Sequence, residues 1–252
     1  MIPERRRPTA SYALVAAVAA SALLAGAAVT WSKGRLAVRA PATPRFDRRQ
    51  PAARSVLRVP HAAAPIVLDG DNDDPGWLAS PGPARTGPFV SAAGVAARPH
   101  SEARMAWGDG HLYVLLYAAD EDVRSRGDAF RMTFSRGGGT PATYAITVSA
   151  DGSVNDEARD VRDATGRGNA PWRSGTHVSR EIDGTLDDPR DVDEEWSLET
   201  AVPLASLGMK GEPGERIGFA VERCDAPDRD ARGCGGWGVS DREPGELVIV
   251  IE

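Results

Sequence analysis

Several sets of side chains in this sequence could hold a ligand, a metal or a crosslink. Residues 68–74 read LDGDNDD and space carboxylates at Asp69, Asp71 and Asp73. That i, i+2, i+4 interval can gather oxygens around one hard cation such as calcium. The run lacks the glycine at position six and the glutamate at position twelve of an EF-hand loop. Asp and Asn at this interval also cap their own backbone in a turn, so cation site and turn both stand. The acidic run DDPRDVDEE at 187–195 reads as a solvated loop.

Aromatic residues offer a second chemistry. Trp172 lies in GRGNAPWRSG and Trp237 in GCGGWGVSD, both glycine-rich stretches where no periodic pattern predicts burial. A flat indole can stack on the apolar face of a pyranose while amides, carboxylates or guanidinium groups take its hydroxyls. Arg173, Asp241 and Arg242 are the polar neighbours suited to that role, and loop packing is the competing use of both rings. Trp77, Trp107 and Trp196 fall inside or beside strand patterns and read as core.

Cys224 and Cys234 are separated by nine residues and are the only cysteines. With no Cys-x-x-Cys and no histidine at ligand spacing, they read as a disulfide closing a short loop, worth about 3 kcal/mol by loop entropy, in an oxidising compartment. No serine sits in a Gly-x-Ser-x-Gly elbow. Carboxylates are too numerous to single out the facing pair that a glycosidase requires. An enzyme is therefore not expected. Met105, Met132, His111 and His177 include residue types that ligate haem, although strand methionines also serve as core.

The elements that must position these residues are strands. ARMAWGDGHLYVLLYAAD (103–120) is two alternating apolar runs around Asp109-Gly110, a tight-hairpin signal. DAFRMTFS, TYAITVSADGSV, GTHVSREI, EWSLETAV, RIGFAVERC and GELVIVIE follow, with no long segment of helical period between them. An all-β, antiparallel, jelly-roll-like sandwich is expected. In EWSLETAV, residues 196, 198, 200 and 202 share one face and Glu195, Ser197 and Glu199 the other, a half-buried strand that Pro203 ends. PLASLG reads as one helical turn closed by Gly208.

Charge and composition divide the chain. Residues 1–60 carry a formal +9 and residues 61–252 a formal −15, within a total of −6. The acidic part lacks the basic footprint that nucleic acid needs. Arg5-Arg6-Arg7 precedes an uncharged, alanine-rich run from Ser11 to Thr30, long enough to cross a hydrocarbon core. Residues 1–36 are thus a signal peptide, with Ala25-Gly26-Ala27 as a small-x-small cleavage pattern, or an uncleaved membrane anchor. Residues 37–60, punctuated by Pro41, Pro44, Pro51 and Pro60, form a semi-rigid linker. Residues 61–252 form one domain, expected to be extracytoplasmic.

PIVLDGDNDDPGW (65–77), ARMAWGDGHLYVLLYAADEDV (103–123), DAFRMTF (128–134), EEWSLETAVPLASLG (194–208) and RIGFAVERCD (216–225) occur in the order and approximate spacing of a family 9 carbohydrate-binding module. The domain resembles that family over nearly all of 61–252. The resemblance implies a non-catalytic β-sandwich that binds polysaccharide or oligosaccharide, contains calcium and acts beside glycoside hydrolases. Such modules hold a terminal sugar between two aromatics. Here the first position falls in Arg124-Ser125-Arg126-Gly127, which has no aromatic, and the second matches Trp237. A structural or protein-interaction sandwich without a sugar site, and a haem-binding sandwich, are the alternative functions.

Overall fold

Side-chain alternation along each strand sets which residues face inward, and the strand pairings gather those faces into two sheets. The structure, a computed structural model, describes residues 55–79, 82–91, 94–136, 142–159, 171–225, 234–239 and 245–250, all within the compact unit Ala52–Glu252. The strands are β1 (Val56–Val59), β2 (Ala84–Arg85), β3 (Ser101–Gly108), β4 (His111–Ala119), β5 (Ala129–Ser135), β6 (Thr143–Ser149), β7 (Val154–Arg159), β8 (His177–Asp183), β9 (Glu195–Pro203), β10 (Arg216–Cys224), β11 (Gly235–Trp237) and β12 (Gly245–Ile249). One helical turn, α1 (Pro75–Leu78), and one 3₁₀ turn, Leu204–Leu207, accompany them. The Ser11–Thr30 run lies outside the described residues. Among those described, no helix is long and apolar enough to cross a membrane.

Seven strands form one sheet in the order β1-β12-β10-β5-β6-β7, with β11 also paired to β10. Five form the other, β2-β3-β4-β9-β8. All pairings are antiparallel except β1 with β12. The expected β-sandwich is therefore present. The Asp109-Gly110 hairpin has positive φ at both turn residues (48° and 76°), as the tight connection of β3 to β4 requires. The helical turn after Pro203 ends at Gly208 with φ 68°.

β1 occupies the last residues of what the sequence presents as linker. Its partner, β12, stands at the opposite end of the chain, so no local pattern could reveal that Val56–Val59 pairs.

The core lies between the sheets. Phe130, Met132 and Phe134 of β5, Ile146 and Val148 of β6, and Phe219 and Val221 of β10 meet Leu112, Val114 and Leu116 of β4 and Trp196, Leu198 and Val202 of β9. Each large side chain so buried stabilises the fold by roughly 1.5–3 kcal/mol. At one end Arg223 of β10 reaches across and donates from Nη2 to Asp120 Oδ2 at 2.5 Å, with both side chains buried. Trp196 Nε1 donates to the same oxygen at 3.3 Å. Immediately beyond Arg223, Cys224 and Cys234 form the expected disulfide.

β9 departs from the half-buried expectation because both of its faces are covered. Residues 61–79 cross its outer side as a strap. Trp77 packs there on Leu115 and Ala106 as a small second core. Ser197 Oγ donates to Gly70 O, and Ser179 Oγ to Leu68 O, each at 2.7 Å. Glu199, fully buried, accepts from Trp77 Nε1 at 2.6 Å and from the amides of Gly70 and Asp69 at 2.9 and 3.0 Å. Burial pushes its carboxyl pKa up, against the opposing effect of these three donors. Its charged form therefore costs stability above the folded pKa, and that cost is relieved as pH falls through it. Truncating Glu199→Ala strands three donors. Urea unfolding should show a loss of roughly 2–4 kcal/mol, with faster proteolysis within 61–79; an unchanged midpoint would show that the strap does not depend on Glu199.

Candidate functional site

The exposed face of the seven-stranded sheet follows from its register. Glu222, Arg131, Thr147 and Asn155 stand cross-strand in one row, Ala220, Thr133, Ala145 and Glu157 in the next, and Gly218, Ser135, Thr143 and Arg159 in a third. Glycine and alanine at 218, 220 and 145 leave a depression that larger neighbours wall in. The result is a 290 Å³ groove lined by Arg131, Thr133, Ser135, Thr143, Ala220 and Glu222, with Gly238 and Val239 from the far side of β11. Gly238 reaches its place with φ 69°. A Cβ there would lie 2.6 Å from Phe219 O, so only glycine brings the chain this close.

Within the groove Arg131 is held by a fork. Its Nη2 donates to Glu157 Oε2 at 2.9 Å and its Nη1 to Oε1 at 3.3 Å, while Nη1 also meets Thr147 Oγ1 at 3.1 Å. The hydrogen bond to Glu157 raises the guanidinium pKa, and Arg131 in turn holds the Glu157 carboxyl below its usual range. The surface presents hydroxyls, a fixed guanidinium, a carboxylate and small apolar patches at Ala220 and Val239. It can take hydrogen-bonding groups on one side of a flat ligand and apolar contact on the other.

Trp237 is beside this groove but turned from it. It pairs with Val221, whose side chain is in the core, and its ring lies against Phe219, centroids 6.1 Å apart, and over Gly245. Trp172 is also partly buried against the core, 4.8 Å from the Tyr144 ring, with Nε1 donating to Ser206 O at 3.0 Å. The two indoles have separate neighbours and form no clamp. Arg173 is exposed beside Trp172; Asp241 and Arg242 lie outside the described residues.

Asp69, Asp71 and Asp73 take the turn arrangement. Asp69 Oδ1 accepts from the Asp71 amide at 3.0 Å and Asp71 Oδ1 from the Asn72 amide at 2.7 Å. The three carboxylates are not among the described acids whose oxygens lie within 4.8 Å of one another. Among the described residues the convergent acids are Asp120, Asp128 and Asp225. Two of the three are paired with Arg223, whose Nη2 lies 2.5 Å from Asp120 and 3.5 Å from Asp225, and Asp128 Oδ2 accepts from the Arg124 amide at 2.7 Å.

This cluster borders an acidic cleft that also includes Asp193. The run 187–195 is a largely exposed loop, as expected, except at Asp193, which is buried and accepts from the amides of Val123 and Thr185 at 2.6 and 2.7 Å. The haem alternative does not assemble. Met105 and Met132 are fully buried between the sheets, whereas His111 and His177 lie on the outer side of the five-stranded sheet.

The fold these elements define is that of family 9 carbohydrate-binding modules. A family 9 module from Caldicellulosiruptor kristjanssonii, solved with cellotriose, superposes with a TM-score of 0.52 at 15% identity, covering 79% of this chain and 95% of that one. A family 9 module from the same organism, solved with glucose, gives 0.54 at 15% identity, covering 79% and 97%. A protein from Bacteroides uniformis described as a putative carbohydrate-binding protein gives 0.54 at 16% identity, covering 78% and 100%. No protein-family model matches the sequence, and no curated protein matches it as a relative.

The groove residues went unseen in the sequence because no motif marks them. Their signal is a run of small or hydroxylated residues at the outward positions of DAFRMTFS and RIGFAVERC, which gains meaning only once the two strands are paired in register. The turn assignment at 69–73 is checked by melting the protein in excess chelator. The midpoint should not move, whereas a calcium site loaded at a hundred times its Kd would forfeit about 2.7 kcal/mol.

Proposed function

We propose that this chain is a non-catalytic carbohydrate-binding module that takes an oligosaccharide in the groove on the outer face of the seven-stranded sheet. The observation that carries the reading is the groove itself: hydroxyl, guanidinium and carboxylate groups around a floor of Ala220 and Thr133, on a sandwich whose structural neighbours include modules solved with cellotriose and glucose. Sugar hydroxyls would pair with Thr133, Ser135, Thr143, Arg131 and Glu222, and the apolar face of the ring would rest on Ala220 and Val239. Without an aromatic platform, affinity falls in the high micromolar to millimolar range, since one lost stacking side chain costs on the order of 1–3 kcal/mol.

The basic N-terminus, apolar run and proline-rich linker support export, with the domain tethered to a membrane or released outside it. There it would assist polysaccharide breakdown by enzymes on other chains. The inward turn of Trp237 and the packing of Trp172 favour one rival, a protein-interaction sandwich that has kept the fold without a sugar site.

Calorimetry on cello-, xylo- and chito-oligosaccharides separates these readings. Filling the floor with Thr133→Arg should weaken binding at least roughly tenfold, the worth of about 1.4 kcal/mol. Trp237→Leu, which keeps apolar packing and removes stacking, should lower the melting temperature more than the affinity. Binding abolished by Trp237→Leu but untouched by Thr133→Arg would restore the indole as the contact, and no binding to any glycan would leave the interaction sandwich.

A further inference from the structure

We infer that the groove selects saccharides that carry a free amino group, with Glu222 as the residue that recognises it. The inference rests on the carbohydrate-binding reading above and is carried by how charge is distributed along the groove. Arg131 stands directly cross-strand from Glu222, yet its fork is turned the other way, onto Glu157 and Thr147. The field of Glu222 contributes to raising the Arg131 pKa, after the larger effect of the Glu157 hydrogen bond. Among the described residues, however, Glu222 has neither a hydrogen bond nor an ion pair of its own. Every other lining side chain is uncharged. A ligand entering the groove therefore meets one guanidinium, already neutralised by one carboxylate, and a second carboxylate with its acceptor oxygens to spare.

Position makes that carboxylate usable. Glu222 is two residues along β10 from Ala220 and on the same face, about 7 Å away by strand rise, so a pyranose resting on Ala220 and Thr133 brings a ring substituent within its reach. A neutral sugar can donate one hydroxyl to it. A uronic acid would bring like charge. An amino sugar offers an ammonium with three donors, and a charge-assisted hydrogen bond of that kind is shorter and stronger than a neutral one. Because Glu222 is only partly buried, the gain is that of a half-exposed ion pair and is screened by salt.

The test is calorimetry on the full chain with four trisaccharides: glucosamine, N-acetylglucosamine, cellotriose and galacturonate. The glucosamine trimer should bind roughly three- to fivefold more tightly than cellotriose, the increment of one partly exposed charge pair. Galacturonate should bind weakest, and 0.5 M salt should shrink the spread. Glu222→Gln should bring the glucosamine and cellotriose affinities within about twofold of each other, whatever it does to the affinity for cellotriose itself. Binding of neutral sugars with no preference for glucosamine, or a preference that survives Glu222→Gln, overturns the assignment while leaving the carbohydrate reading intact. Failure to bind any of the four overturns both. The wild-type ligand series decides the question even if the variant folds poorly.

Discussion

The registered pairing of β5 with β10 is the constraint on which the rest of the structure depends. The two strands present Phe130, Met132, Phe134, Phe219 and Val221 to the core from one face, and Arg131, Thr133, Ala220 and Glu222 to solvent from the other. A slip of one residue would exchange these sets, exposing aromatic rings and burying charge, so core packing fixes the geometry of the groove without any residue of the groove contributing to it. The end of β10 is secured twice, by Arg223 on Asp120 across the sandwich and by the Cys224–Cys234 disulfide to β11. Removing one partner of such a buried ion pair costs on the order of 3–5 kcal/mol, because the other is left charged and dry.

The two sheets differ in what covers them. On the five-stranded sheet, Glu199 binds the strap at Asp69, Gly70 and Trp77, and that outer face becomes a second small core. On the seven-stranded sheet, the small residues at 218, 220 and 145 leave an open depression. A buried carboxylate anchors the strap on one side, and a half-buried carboxylate, Glu222, stands at the edge of the groove on the other. The chemistry of the two glutamates differs because their surroundings do: Glu199 has three fixed donors, whereas Glu222 faces a neighbour whose guanidinium is committed elsewhere.

Much of the fold was legible from period-two alternation alone. The β3–β4 hairpin, β5, β6, β8, β9, β10 and β12 follow runs that read as strands, and the Asp-Gly turn between β3 and β4 carries the residues its positive φ demands. The site was less legible, and for a physical reason. Trp237 looked available because a glycine-rich stretch has no periodicity, but pairing with Val221 turns its ring inward and gives the groove Gly238 and Val239 instead. The spacing of the carboxylates at 69, 71 and 73 left a turn and a cation site both open, because spacing records neither which amides they cap nor that Glu199, far along the chain, accepts the amides of Asp69 and Gly70. Val56–Val59 read as linker because its partner strand is the last in the chain.

The central claim is that ligand lies on the outer face of the seven-stranded sheet, and amide and indole NMR during titration with an oligosaccharide tests it most directly. The account predicts that the largest shift changes fall on the amides of Arg131, Thr133, Thr143, Ala220, Glu222 and Gly238, while the indole resonances of Trp172 and Trp77 stay in place. Changes concentrated on the Trp172 indole, or around Asp120 and Asp193 in the acidic cleft, with the β5 and β10 amides unmoved, would contradict it.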